Sequence, residues 1–333
     1  MRPLPGERSI YFLKGRGVLS FMRCLVTGGT GLIGSNIVKA LLEQGHEVII
    51  TGHDAEQKIP GFKGKYLQAS FIGLDWDALG KLDVVCHQAA MNDTTMLDRR
   101  EMFRMNVDSA LELFRRVVAQ GCKRIVYASS TAVYGDVVPP YKEDGPLNPL
   151  NPYAESKKAL EDQANEFARK HPDVTLVGLR YCNVYGPGES HKGKRATMIF
   201  QLAQQMLHSN PVIFKWGDQK REYIYVKDVV RANLLAAEAK QSCVVNCGSG
   251  KATTFKQLVS ILNRLLGTNR VPQYIDNPYT GMYQDHIECD MTQAKLQLGF
   301  VPEFDIDKGI EDYYKTGLLV PCDVHSVISV RKV

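Results

Sequence analysis

Apolar residues along this chain follow two alternating rhythms. Short, largely apolar runs occur at residues 24–26, 48–50, 82–86, 124–127 and 174–179, with a more mixed run at 65–68. Each is expected to be a strand. Between them the apolar positions take a helical period. Ile33, Ile37 and Leu41, joined by Val38 and Leu42, recur at three- and four-residue spacing and predict one helix. Leu111, Phe114 and Val118 predict another over residues 106–120, and residues 153–169 read as a third. Strands with little polar alternation, separated by amphipathic helices, imply a parallel sheet covered on both faces. The expected fold class is therefore α/β, a doubly wound parallel sheet.

Past Arg180 the rhythm loosens. Residues 186–195 are rich in glycine and charge and read as a loop. Helices are expected near 196–208, 227–239 and 255–266, separated by short strand-like pieces. This predicts a smaller α/β lobe interleaved with the end of the larger domain. The expected division is 22–185 with about 215–247 for the larger domain, and 186–214 with 248–320 for the lobe. Residues 1–21 hold two prolines and three glycines without a period, and are expected to be an unstructured extension. Residues 321–333 form a tail to which the pattern assigns no role.

Composition narrows the class. The chain has 333 residues, of which 44% are hydrophobic and 23% charged, as in globular proteins. Its net charge of +5 is mild, and no aromatic and basic platform accompanies it, so nucleic acid is not an expected partner. No run approaches the 18 apolar residues of a membrane span, and Lys14, Gly15 and Arg16 interrupt the N-terminal apolar residues that a secretory signal would need unbroken. The eight cysteines are scattered, with no CxxC pair, which points to reduced thiols in a cytoplasmic protein. The histidines form no ligand pattern, so no metal is expected.

Two motifs carry the chemistry. Thr27-Gly28-Gly29-Thr30-Gly31-Leu32-Ile33-Gly34 joins the first strand to the first helix. Glycines at that spacing let backbone approach a pyrophosphate, and the helix N-terminus offers aligned N–H donors. The implied ligand is a dinucleotide, held at Gly28, Thr30, Gly31, Leu32, Ile33 and Gly34. At the end of the second strand the acid that would bind the adenosine ribose is replaced by Gly52, with Asp54 two residues later, and no arginine stands ready for a 2′-phosphate. NAD and NADP both stay open, with NAD favoured. The second motif is Tyr153-Ala154-Glu155-Ser156-Lys157. Positions i and i+4 share a helix face, so phenol and ammonium can meet one ligand. A nearby cation favours the phenolate, and such a tyrosine can accept a hydroxyl proton while a hydride leaves the same carbon. Ser130, after the fifth strand, would hydrogen-bond the reacting oxygen.

These pieces resemble the extended short-chain dehydrogenase/reductases, in the nucleotide-sugar epimerase and dehydratase branch. The likeness runs from Leu25 to about Tyr314. It includes His87-Gln88-Ala89-Ala90, Asn106, Tyr127 to Ser130, Val133-Tyr134-Gly135, Arg180 to Pro187, Gly217-Asp218-Gln219 with Arg221, and Val226 to Val229. It implies a Rossmann domain with Ala89, Ala90 and Asn106 on the cofactor, and Asn183 and Arg221 on a nucleotide diphosphate. Arginine suits phosphate because its planar fork donates in pairs. A homodimer through the helices at 106–120 and 153–169 is implied as well.

Within that branch, Gly188 to Gly193 and Tyr283-Gln284 are similar to the ADP-glycero-manno-heptose 6-epimerases. That likeness makes Lys192 a second acid/base group facing Tyr153, with His191 and Tyr283 on the substrate. Ser70 and Met282 depart from the pattern. Thr131 and Ala132 follow Ser130 where a dehydratase carries an acid, so water elimination is not expected. The leading expectation is an NAD(P)-dependent epimerase of a nucleotide-diphosphate sugar. The alternatives are a UDP-hexose 4-epimerase, with Lys192 a binding residue, and a non-catalytic dinucleotide sensor. Retention of Ser130, Tyr153 and Lys157 argues against the sensor.

Overall fold

The computed structural model describes residues 21–52, 59–68, 75–92, 98–277 and 286–320. Expectations that concern residues 1–20, Asp54, Ser70, Met282, Tyr283 and the 321–333 tail lie outside them.

The first half alternates strand and helix: β1 (Arg23–Thr27), α1 (Leu32–Glu43), β2 (Glu47–Gly52), β3 (Lys65–Gln68), α2 (Trp76–Leu79) and β4 (Val84–His87). Next come α3 (Arg99–Phe103), α4 (Ser109–Ala119), β5 (Arg124–Ser130), α5 (Pro152–Lys170) and β6 (Thr175–Tyr181). The second half holds β7 (Asn183–Tyr185), α6 (Met198–His208), β8 (Val212–Phe214), β9 (Lys220–Tyr225), α7 (Val226–Ala237) and β10 (Cys243–Cys247). It ends with β11 (Ala252–Thr254), α8 (Phe255–Leu266), β12 (Gln273–Ile275), α9 (Thr292–Leu298) and α10 (Ile306–Lys315).

Seven strands form one parallel sheet in the order β10-β6-β5-β4-β1-β2-β3, the doubly wound sheet expected from the apolar runs. Alternate residues of each strand face opposite layers. Leu25, Ile49, Val85 and Ile125 pack with Phe114 of α4 and Leu160 of α5. Cys24, Val26, Ile50 and Val126 pack with Ile37 of α1 and Val229 of α7. Strand order reverses between β1 and β4, which opens a crevice beyond their carboxyl ends.

Two differences from the sequence reading bear on the site. The helix expected to begin at residue 106 begins at Arg99, because the Asp98 side chain accepts from the Glu101 N–H at 3.0 Å and caps it. A π turn at Arg104–Asp108 then joins α3 to α4 without a gap. In the second half, β9 lies within the stretch assigned on sequence to the larger domain. It pairs instead with β7 and β11 in a separate three-stranded sheet, and β8 pairs with β12.

A buried ion pair joins the sheet to α5. Arg180 on β6 donates to Glu161 from Nε at 2.9 Å and from Nη2 at 2.8 Å, and the two side chains are 5% and 3% exposed. Ser129 also donates to Glu161. Arg180 reaches the Tyr134 hydroxyl at 2.7 Å, and that hydroxyl donates to Asn246 on β10 at 2.8 Å. Burial disfavours the Arg180 cation, but its bonds to Glu161 outweigh that and hold the guanidinium charged.

Arg180→Met leaves the Glu161 carboxylate buried without its counter-ion. It should cost about 3–5 kcal/mol in urea unfolding, and adding Glu161→Met should recover most of the loss.

Candidate active site

The crevice is floored by the β1–α1 turn. Gly28 has φ of +65°, and a Cβ there would stand 2.8 Å from the Ala89 nitrogen. A Cβ at Gly34 would stand 2.2 Å from the Gly28 carbonyl oxygen. Only glycine permits this turn to fold so tightly under the loop after β4. Helix α1 follows Gly31 with no side-chain cap and no acid in its first turn, so its own first turn leaves the positive end of its dipole free to face an anion. Thr30, Gly31, Leu32 and Ile33 all lie on this turn, with Leu32 buried. The cradle fits a dinucleotide pyrophosphate. Gly52 closes β2 against Thr30 and Tyr66: a Cβ there would stand 3.2 Å from the Thr30 methyl and 2.9 Å from the Tyr66 hydroxyl.

The loop after β4 is held from below. The Ala89 N–H donates to the Thr27 hydroxyl at 3.3 Å, and Ala90 is exposed. Asn106, 1% exposed, accepts from the Met91 N–H at 2.8 Å, donates to the Met91 carbonyl at 2.9 Å and reaches the Ser156 hydroxyl at 3.0 Å. The π turn sets this side chain between the loop and α5. Such turns recur at functional positions, but no local sequence pattern marks this one.

The residues expected to handle protons meet at the end of β5. Asn151 caps α5 by accepting from the Ala154 N–H at 2.9 Å, and Pro152 occupies the first turn. Tyr153 therefore sits at the start of α5, beside the end of β5. The Ser130 hydroxyl is the polar group that acts on its phenol. The Ser130 Oγ also accepts from the Ala132 N–H at 3.2 Å. Burial pushes the Tyr153 phenol up, and the Ser130 hydroxyl offsets part of that. Lys157, one turn on and 2% exposed, donates to the Ala128 carbonyl at 2.8 Å and lies 5.9 Å from the Tyr153 ring centroid. Burial pushes the Lys157 ammonium down to about 8, against the pull of Glu161. His87, bonded to Thr27 at 2.7 Å, is pushed down to about 3 by burial and by Lys157, and stays neutral. Four-residue spacing puts Tyr153 and Lys157 on one face of this helix, as in the structure. Glu161, four residues further along the same face, was missed although that spacing could have found it.

The substrate candidates divide. Asn183, Lys192 and Arg221 line one cavity of about 440 Å³ between β7, the turn before α6, and β8–β9. Asn183 also donates to the Glu222 carbonyl at 2.7 Å. Arg195 and Phe214 line the same cavity, and neither was expected. Burial pushes the Lys192 ammonium down, while Glu189 raises it. His191 is exposed. Among the described residues one cluster has metal-ligand spacing: Cys182, Glu222 and Cys289, all buried. No helix among them is long and apolar enough to cross a membrane.

A glycine cradle at the switch point, with a tyrosine, serine and lysine at the end of the fifth strand, defines the extended short-chain dehydrogenase/reductase class. More narrowly, the chain belongs to the NAD dependent epimerase/dehydratase family, whose model matches residues 24–248. A Methanocaldococcus jannaschii protein provisionally named UDP-glucose 4-epimerase is 32% identical over 297 residues, covering 86% of this chain and 95% of that one. The Helicobacter pylori ADP-L-glycero-D-manno-heptose-6-epimerase structure matches with a TM-score of 0.81 and 32% identity, covering 93% of this chain and 98% of that one. The Thermotoga maritima UDP-glucose 4-epimerase structure, solved with UDP-glucose, matches with a TM-score of 0.80 and 30% identity, covering 89% and 100%. At the level of class, the chain is an NAD-dependent nucleotide-sugar epimerase.

The displaced Lys157 has a consequence for stability. Its ordinary value is 10.5, and its folded value is about 8. Between those values the unfolded chain holds a proton that the folded chain has released, so stability rises with pH. Wild type should therefore gain on Lys157→Met from pH 8 to 10.5. The difference in urea midpoints measures it, and a flat or reversed difference would contradict a desolvated lysine.

Proposed function

We propose that the chain epimerises one carbon of a nucleotide-diphosphate sugar, with Tyr153 as the acid/base group. The observation that carries this is the grouping of Tyr153, Ser130 and buried Lys157 at the end of β5, beside the glycine cradle. NAD, when bound, supplies the hydride acceptor, returns the same hydride, and adds a positive ring charge that favours the Tyr153 phenolate. Tyr153 takes the sugar hydroxyl proton as the carbonyl forms. Ser130 donates to that oxygen, and Lys157 holds positive charge near the phenol. The carbonyl sugar would turn over to present its other face, and Tyr153 would return the proton to the same oxygen. Gly28 to Gly34 and Ala89 would hold the cofactor, and Asn106 would position the loop above it.

Two substrate readings stand beside each other. The Ser190–Gly193 segment and the match to the Helicobacter pylori enzyme support ADP-glycero-manno-heptose, with Lys192 as a second acid/base group. The shared cavity of Lys192, Asn183 and Arg221 supports a UDP-hexose epimerised at C4, with Lys192 on the diphosphate. A homodimer through α4 and α5 belongs to the same proposal. The Leu111, Phe114, Leu160 and Phe167 side chains of those helices pack into their own core, and the helices also carry charged pairs such as Glu112–Arg116 and Lys158–Asp162.

Proton NMR with ADP-D-glycero-β-D-manno-heptose and, separately, UDP-glucose should show the second epimer of one of them. Tyr153→Phe should lower kcat by about 10³-fold and leave NAD affinity within a few-fold. A fully active phenylalanine variant excludes the mechanism. For Lys192→Ala, a rise in KM of about tenfold or more at near-constant kcat assigns the residue to binding, whereas collapse of kcat at steady KM assigns it to proton transfer.

A further inference from the structure

The cluster of Cys182, Glu222 and Cys289 takes no part in the proposed reaction, yet two of its members are chain neighbours of the cavity residues Asn183 and Arg221. Cys182 joins β6 to β7 and is followed by Asn183. Glu222 follows Arg221 on β9. Cys289 lies in the strand-like segment that pairs with Tyr141, where Tyr141 donates to the Glu288 carbonyl at 2.8 Å and accepts from the Asp290 N–H at 2.9 Å. The two thiols are 7% and 3% exposed, and their sulfurs are 3.2 Å apart.

That geometry favours a bond between the sulfurs over a shared metal. Two thiolates on a tetrahedral zinc, each about 2.3 Å from it, would stand roughly 3.8 Å apart. The carboxylate that would complete a metal site is already engaged: Glu222 accepts from the Gly250 N–H at 2.7 Å and from the Cys289 N–H at 2.5 Å. Closing the sulfurs to a bond needs about 1 Å of movement.

We propose that Cys182 and Cys289 form a reversible disulfide that ties the strand bearing Asn183 to the 286–290 segment. The oxidant is a peroxide. One thiolate attacks it and becomes a sulfenic acid. The second thiol displaces water from that sulfur, so two thiols and one hydrogen peroxide give one disulfide and two waters. Burial, with the hydrogen bond to Cys289, holds the Cys182 thiol well above its ordinary value. At Cys289 the bond to Cys182 pulls downward, but burial and Glu222 outweigh it and the thiol is pushed up to about 11. Oxidation is therefore slow at neutral pH. The tie would close a loop of 107 residues containing α6, β9, α7 and α8.

The test treats the whole reduced protein with hydrogen peroxide under folded conditions, then alkylates it in denaturant and maps the peptides. Two of the eight thiols should be lost together. The Cys182 and Cys289 peptides should appear linked and two hydrogens lighter, and dithiothreitol should restore both. The thermal midpoint of the oxidised protein should rise by roughly 5 °C or more, a rise that Cys182→Ala abolishes. Both cysteines still alkylatable after peroxide, or recovered as sulfinic acids, would overturn the proposal. So would one zinc bound per chain with both thiols shielded.

Discussion

The arrangement of the site depends on the buried pair between Glu161 and Arg180. Helix α5 carries Tyr153, Lys157 and Glu161 at successive four-residue steps, so fixing one fixes the rotation of all three. Glu161 accepts two bonds from Arg180 on β6 and one from Ser129, the neighbour of Ser130. The carboxylate thus clamps the helix with the phenol to the strand with the serine. Arg180 passes the constraint on through Tyr134 to Asn246, which also donates to the Tyr141 and Asp290 carbonyls. A pair this deep adds little net stability over a well-packed apolar pair, because its desolvation offsets most of its attraction. Its use lies in direction: a fork of two donors on one carboxylate allows one orientation of helix against sheet, where apolar packing would tolerate several.

The same carboxylate shapes the charge of the crevice. Lys157 is so deeply buried that its ammonium loses much of its proton affinity, and Glu161 supplies the opposing pull. His87, on the next strand, feels the Lys157 charge and burial together and stays neutral. The crevice therefore holds one marginally retained cation, one phenol pushed above its ordinary range and the positive end of α1, which carries no acid in its first turn. That balance suits a dinucleotide: the pyrophosphate meets the helix end, and added positive charge near Tyr153 would move its phenol toward the range where it can exchange protons.

The larger sheet was legible in the sequence because strands covered on both faces need no polar alternation, and their apolar runs stand out. Tyr153 and Lys157 were legible because four-residue spacing is a local property. The clamp was not, since Glu161 and Arg180 look like ordinary surface charges until the fold brings them together. The early start at Arg99 turns on one aspartate cap, and the π turn on five residues with no composition of their own. The sheet of β7, β9 and β11 escaped for a related reason. Two of its strands have three residues each, too short to show a period, and β9 pairs across a long stretch of chain.

Lys192, Arg195 and Arg221 are more positive charge than a diphosphate of two negative charges requires, and they share the cavity with the apolar Met198, Ile213 and Phe214. Under the proposed function the cations would hold the phosphates, and the apolar side chains would take up a nucleotide base. A sugar anchored only through its phosphates keeps the freedom of the bonds that join them, and can present either face of a ring carbon to one fixed tyrosine. Under that constraint a single acid/base group serves both epimers. A second group becomes necessary only when the reacting carbon lies on a side arm whose two proton positions a single phenol cannot reach. The choice between ring carbon and side arm therefore turns on how far the Lys192 ammonium extends toward Tyr153 once the phosphates are seated.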